Sequence, residues 1–227
     1  MKLLIKISFI LLLAISAITL HCCKPDDEVG KTYGPYTLGE ARDYIDFKPG
    51  SWWVYQNNKS GLYDTLVLKS ISIRSQTFTG KNTVIKDMVN MLIYSTTTKY
   101  EYEYYTFGAN PDLPAKSLAP PYSIDLRPGK SKAGDYNGET VTFFYPFDKN
   151  HKGNISMFES SLIHKDTTIV LPKYTIDSVV VFKCKDDACW DGFTVNYYWA
   201  KDVGLIRKEN INKGESWDLV NYHIEKQ

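Results

Sequence analysis

The sequence predicts an all-β domain: an antiparallel, twisted sheet closed as a barrel, a half-barrel or a sandwich, with one short N-terminal helix. Three observations predict it. Apolar and polar residues alternate in runs that recur from Ser51 to Ile224, the period of a half-buried strand. Those runs are rich in aromatic and β-branched residues, which suit a pleated surface; Tyr alone occurs 17 times. Only Leu38 to Ile45 reads as a helix, with Thr37 as its candidate cap. About ten such strands twist too strongly to form an open flat sheet. Closure also removes exposed strand edges. Alternation at period two is common to all three closed forms.

The elements follow in order. Ser51 to Asn57 sets Trp52 and Val54 against Trp53 and Tyr55. Asn58-Lys59-Ser60-Gly61 is a turn, and Leu62 to Ser75 is a long second strand. On that strand Leu66 and Leu68 share one face, whereas Ile71 and Ile73 fall on the other. A β-bulge near Lys69-Ser70 would bring all four to one side. Val84 to Thr97 and Lys99 to Phe107 come next, with Tyr100, Tyr102 and Tyr104 opposed to Glu101 and Glu103. Val141 to Tyr145, Ile155 to Val170 and Thr175 to Lys185 continue the pattern. Phe193 to Ala200, Leu205 to Ile211 and Trp217 to Ile224 complete it, with Asp202-Val203-Gly204 as a turn. Gly108 to Glu139 breaks it. Five prolines and several glycines make that stretch read as a long irregular excursion.

The N-terminus predicts export. Lys2 and Lys6 precede an apolar run from Ile7 to Leu20. That run is shorter than the roughly 20 residues a membrane-spanning helix needs, and it fits a signal-peptide core. The run ends at a lipobox-like site. For Cys23, Leu20 lies three residues before and the small Cys22 directly before. For Cys22 the same places hold Thr19 and His21, a poorer fit, so Cys23 is the expected lipidated residue and Cys22 the alternative. Two or more acyl chains anchor a protein stably, whereas one does not. The expected organisation is a signal peptide at 1–22, a polar tether at 23–36 and a single β-rich domain at 37–227. A membrane-spanning barrel is not expected, because charges alternate along the strands and an anchor makes spanning redundant.

Removal of residues 1–22 takes two of the 27 basic side chains, Lys2 and Lys6, and none of the 26 acidic ones. The near-neutral remainder argues against a nucleic-acid partner. Outside the cytosol, Cys184 and Cys189 are expected to form a disulfide across a short polar hairpin. Four intervening residues are two too many for a thioredoxin-like site, and no histidine lies close enough in sequence to complete a zinc site.

Two segments carry a resemblance. Phe47-Lys48-Pro49-Gly50-Ser51-Trp52-Trp53-Val54-Tyr55, followed by Gly61-Leu62-Tyr63-Asp64-Thr65, resembles the opening strands of many uncharacterised Bacteroidota-type outer-membrane lipoproteins. Tyr197 to Arg207, which contains Asp202-Val203-Gly204-Leu205-Ile206-Arg207, is similar to their closing hairpin. Lys24-Pro25-Asp26-Asp27-Glu28 resembles the acidic export signal that follows the lipidated cysteine in such proteins. The resemblance implies anchoring at the outer membrane, facing the periplasm or the exterior. It implies a β fold and brings no reaction with it.

No sequence motif for catalysis, phosphate binding or dinucleotide binding is present, and no cofactor is indicated. His151, His164 and His223 lie far apart, in no metal-binding spacing. The leading reading is a non-catalytic lipoprotein that binds a ligand or partner or has a structural role in the envelope. A glycan, a lipid or an envelope protein is the expected partner. Two alternatives share the fold: a lipid or lipoprotein carrier with an apolar cavity, and a hydrolase whose active site converges from scattered residues. Tryptophan faces suit sugars and apolar ligands. Trp190, beside the Cys189 turn, is the candidate ligand contact.

Overall fold

The computed structural model describes residues 30–99, 101–105, 122–128, 141–145, 152–155, 158–185 and 194–225. The N-terminal half supplies β1 (Thr32–Tyr36), a 3-10 turn (Gly39–Ala41) running into helix α1 (Arg42–Ile45), β2 (Trp52–Asn57), β3 (Tyr63–Thr79), β4 (Thr83–Ser95), β5 (Glu101–Tyr105), β6 (Tyr122–Pro128) and β7 (Val141–Tyr145). The C-terminal half supplies β8 (Lys152–Ile155), β9 (Phe158–Val170), β10 (Thr175–Lys185), β11 (Val195–Ala200), β12 (Gly204–Asn210) and β13 (Glu215–His223). All thirteen belong to one curled sheet, a half-barrel; twelve run in the order β7-β6-β5-β4-β3-β2-β13-β12-β11-β10-β9-β8, and β1 lies beside β4. The two halves are antiparallel meanders joined where β2 meets β13. The far ends curl towards each other, so that β7 approaches β10 and β6 approaches β8.

The sheet is mixed because of β1 alone. It pairs parallel to β4 through Thr32, Tyr33 and Tyr36. β5 covers β4 only at Asn90 to Tyr94, which leaves that edge open for β1 at Thr83 to Lys86. Thr32–Tyr36, grouped with the tether by composition, are therefore part of the sheet.

The bulge expected in β3 is present. The β3–β4 register slips between Leu68 and Ser70, so Leu68, Ile71 and Ile73 stand opposite Ile93, Met91 and Val89. Alternation on β4 puts those three partners on one face, so the slip returns the β3 isoleucines to the side of Leu68. Two expectations need correction. Gly108 to Glu139 is not a continuous irregular excursion, because it contains β6. Tyr122-Ser123-Ile124-Asp125-Leu126-Arg127 alternates at period two, and it pairs with β5 and β7 between the flanking prolines. Ile155 to Val170 is not one strand but the end of β8 and all of β9, paired from Ile155 opposite Phe158.

The helix forms where expected, with a different cap. Its entry residue Leu38 makes no side-chain cap bond, and Thr37 takes no part. Instead, the Leu38 N–H donates to Asp87 Oδ2 on β4, at 3.1 Å. The sheet thus supplies the acceptor that the local sequence lacks. Leu38, Ala41, Tyr44, Ile45 and Phe47 of this segment are buried in the same cluster as Trp53, Leu68, Met91, Phe182, Tyr197, Ile206 and Leu219 of the sheet. The helix segment thus packs on the inner face of the half-barrel. At its margin it is tied by Lys201–Asp43 at 3.0 Å, Lys165–Glu40 at 3.3 Å and Arg42–Asp87 at 3.7 Å. Apart from Asp87, the side chains of these pairs are well exposed, and the pairs contribute little beside the buried face.

Candidate functional site

Strand direction gives the half-barrel two distinct ends. The helix segment and the β11–β12 turn lie at one end, where Asp202 N–H donates to the Asp43 carbonyl at 2.7 Å. The β2–β3, β4–β5 and β12–β13 connections lie at the other.

Between the helix and the sheet is a half-open pocket of about 70 Å³. Ile45 and Phe47 from the helix segment wall one side, and Trp53, Tyr55, Leu66, Leu68, Met91 and Ile93 from β2, β3 and β4 wall another. Trp199, Gly204 and Leu205 complete it from β11 and β12. The side chains presented are apolar or aromatic. The polar handles of the two β2 aromatics that line the pocket, Trp53 and Tyr55, point into backbone. Trp53 Nε1–H donates to the Val203 carbonyl at 2.6 Å, and Tyr55 O–H to the Leu205 carbonyl at 2.6 Å. Phe47 meets Trp53 edge to face, with ring centroids 5.5 Å apart. Both aromatics therefore have fixed rotamers, and the pocket is largely preformed.

Further along the same face, the register places Phe182, Tyr197, Lys208, Trp217 and Asn57 in one row across β10, β11, β12, β13 and β2. Lys208 is the cation of that row. Burial pushes its ammonium down to about 8, against the pull of Glu215 and with a smaller push from Lys213. Glu215 also accepts from Asn57 Nδ2 at 2.5 Å. In an unfolded chain lysine titrates near 10.4. Between about pH 8 and 10 the unfolded state therefore binds more protons, and stability rises with pH across that window. Below pH 8 the folded state holds the ammonium charged, against the desolvation that Glu215 only partly offsets. Denaturant unfolding at pH 7.5 and 9.5 should show a gain of about 1–2 kcal/mol that Lys208→Met abolishes. An identical slope in the variant would remove Lys208 as its source.

The opposite face carries a polar network. Arg207 Nε lies 2.5 Å from Asp218 Oδ1, and Ser216 Oγ donates to the other Asp218 oxygen at 3.1 Å. Tyr198 O–H donates to Glu209 at 2.6 Å. Burial and that hydrogen bond push the Tyr198 hydroxyl up to about 12. Arg207–Asp218 and Tyr198–Glu209 join neighbouring strands and Ser216–Asp218 lies within β13, so each of these groups has a counterpart, as in a structural network.

Cys22, Cys23, Cys189 and Trp190 lie outside the described residues. Cys184 is fully buried near the end of β10, in register with Val195 and Ser160. The other tryptophans divide. Trp53 and Trp199 line the pocket, Trp217 is half-buried in the Lys208 row, and Trp52 stacks on His223 with centroids 6.0 Å apart. Met91, Ile93 and Leu205 were not singled out by sequence. They come to the pocket only through the β3 bulge and the half-barrel curl. Asp64, in the Gly61 to Thr65 segment, is structural. It accepts from Ser95 Oγ at 2.9 Å and from Thr97 N–H at 3.1 Å, fixing the turn after β4. Among the described residues no group of three or more His, Cys, Asp or Glu side chains converges.

No family model and no curated protein matches this sequence. Two solved structures are similar in outline. A candidate lipoprotein from Parabacteroides distasonis has 12% identity and a TM-score of 0.36, over 80% of this chain and 98% of that one. A candidate exported protein with a YmcC-like fold from Bacteroides fragilis has 12% identity and a TM-score of 0.33, over 78% and 98%. At this identity and these scores the likeness carries no argument about fold or role.

Proposed function

We propose that the chain is an exported, membrane-anchored lipoprotein that acts by binding, and that its half-barrel takes an apolar group in the pocket between helix and sheet. The pocket carries this reading: its walls are apolar, and its Trp53 and Tyr55 polar atoms are committed to backbone. Such a surface rewards a ligand that brings an alkyl or aromatic group and offers nothing to polarise a scissile bond. The size refines the choice among the sequence alternatives. A cavity of about 150 Å³ holds one benzene. About 70 Å³ takes the end of an acyl chain or the edge of a ring, with the rest of the ligand outside. A carrier that encloses whole acyl chains needs several times that volume. Selective binding of a protruding apolar group is therefore favoured over bulk transport.

The anchor belongs to the same reading: lipid on Cys23, with Cys22 as the alternative, at the outer membrane. So does a Cys184–Cys189 disulfide beside Trp190, where Trp190 would be a second contact for a glycan, a lipid or an envelope protein.

Trp53 and Trp199 report on the pocket directly. Titration with medium-chain fatty alcohols should give a saturable change in tryptophan fluorescence. Ile93 is only half-buried, so Ile93→Trp can fill the pocket with little strain in the core. The variant should keep its circular dichroism and bind at least about 10-fold more weakly, the effect of losing about 1.4 kcal/mol of contact. An unsaturable response in the wild type, or equal binding by the variant, would contradict the pocket assignment. Turnover of an ester in the same series would favour the hydrolase.

A further inference from the structure

The end of the half-barrel away from the helix is a rim of hairpin turns with an unusual surface. Leu62 is 60% exposed and Tyr63 57%, both following the β2–β3 turn, and Ile211 on the β12–β13 turn is 46% exposed. One exposed leucine is ordinary. Here three large apolar residues protrude from turns made adjacent by the β2–β13 pairing.

The turns are held rigidly. Asn58 N–H donates to the Ser216 carbonyl at 2.9 Å, and Ser216 N–H returns to Asn58 Oδ1 at 2.9 Å. Lys59 Nζ donates to the Lys213 carbonyl. Thr97 Oγ1 on the third turn donates to the Tyr63 carbonyl at 2.9 Å. The apolar tips are therefore held outward by the fold.

Among the described residues, the exposed charge on these three turns is basic. Lys59, Lys99 and Lys213 are exposed, one on each turn. Among the described residues, the acids that directly follow the turns, Asp64, Glu101 and Glu215, are half-buried, and two are committed internally: Asp64 to Ser95 and Thr97, and Glu215 to Asn57. Glu209 beside the β12–β13 turn is half-buried and accepts from Tyr198, and Glu103, further along β5, is exposed and accepts from Asn90.

We propose that this rim docks on an anionic lipid bilayer, with Leu62, Tyr63 and Ile211 entering the interface and Lys59, Lys99 and Lys213 meeting the headgroups. Protruding apolar tips ringed by lysines are what interfacial binding requires, because apolar burial and headgroup attraction act on the same few residues. The bilayer would be met by the end of the barrel that the helix leaves uncovered. The inference does not rest on the pocket binding a ligand.

The test uses the unacylated chain from Lys24 onward, which retains every residue of the described fold, so that no lipid anchor contributes. It is sedimented with phosphatidylcholine vesicles, with and without about a quarter phosphatidylglycerol. The wild type should co-sediment with the anionic vesicles and be released by salt. Lys59→Glu with Lys213→Glu should weaken that binding at least about 25-fold, from about 5-fold per lysine. Leu62→Ser with Ile211→Ser should lose it with the charge unchanged. All four positions are exposed, so near-UV circular dichroism should stay the same. Wild type left in the supernatant with anionic vesicles, or serine variants that sediment as the wild type does, would overturn the proposal. It also fails if the wild type is a dimer that the serine variants dissolve and no vesicle binding is seen, in which case the rim is a contact between copies.

Discussion

Trp53→Ala should destabilise the fold by about 3–5 kcal/mol, the range for removing a buried tryptophan. The side chain is 5% exposed and sits where three parts of the structure meet. Its ring packs on Phe47 of the helix segment, and its Nε1–H holds the Val203 carbonyl in the β11–β12 turn. Alanine removes both contacts and leaves a buried carbonyl without its donor, which adds to the cavity cost. Trp53→Phe separates the two effects. It keeps most of the packing and loses the hydrogen bond, so it should cost about 1–3 kcal/mol. Urea unfolding of both variants, at unchanged slope, gives the two numbers. Equal losses would mean that packing plays little part.

Gly204→Ala should cost about 2–4 kcal/mol from two sources that act together. Gly204 has φ +98°, a conformation that side chains with a Cβ rarely adopt. An added Cβ would also stand 3.1 Å from Phe47 Cε2 and 3.5 Å from Trp53 Nε1. Those rings wall the pocket, so the variant should also lose apolar ligand. Phe47→Leu removes the nearest ring edge. If Gly204→Ala is less damaging in that background, crowding is the larger source. If the cost is unchanged, the backbone conformation is.

The alternation on β2 through β4 and β9 through β13 made the strands readable from sequence. The Leu66, Leu68, Ile71, Ile73 mismatch even located the β3 bulge. Local signals failed where a partner from elsewhere decided the outcome. The helix cap is Asp87, far from Leu38 in sequence, so no capping pattern near Thr37 announces it. The prolines around β6 hid a strand whose pairing with β5 and β7 is non-local. The pocket was invisible for the same reason. Phe47, Trp53, Met91, Trp199 and Leu205 are unremarkable apolar residues, and the curl of the sheet brings them together. No sequence signal marks Lys208, because one residue of register decides which face it occupies.

Methyl NMR tests the central claim most directly. Met91 lines the pocket, whereas Met88, three residues away on β4, does not. With methionine methyls labelled, addition of a medium-chain alcohol should shift the Met91 signal in a saturable way. Met88 should stay within the small change expected of a bystander. Saturable shifts at Met88 with Met91 unmoved would place the ligand elsewhere. No shift at either, at ligand concentrations up to solubility, would contradict binding in the half-barrel altogether.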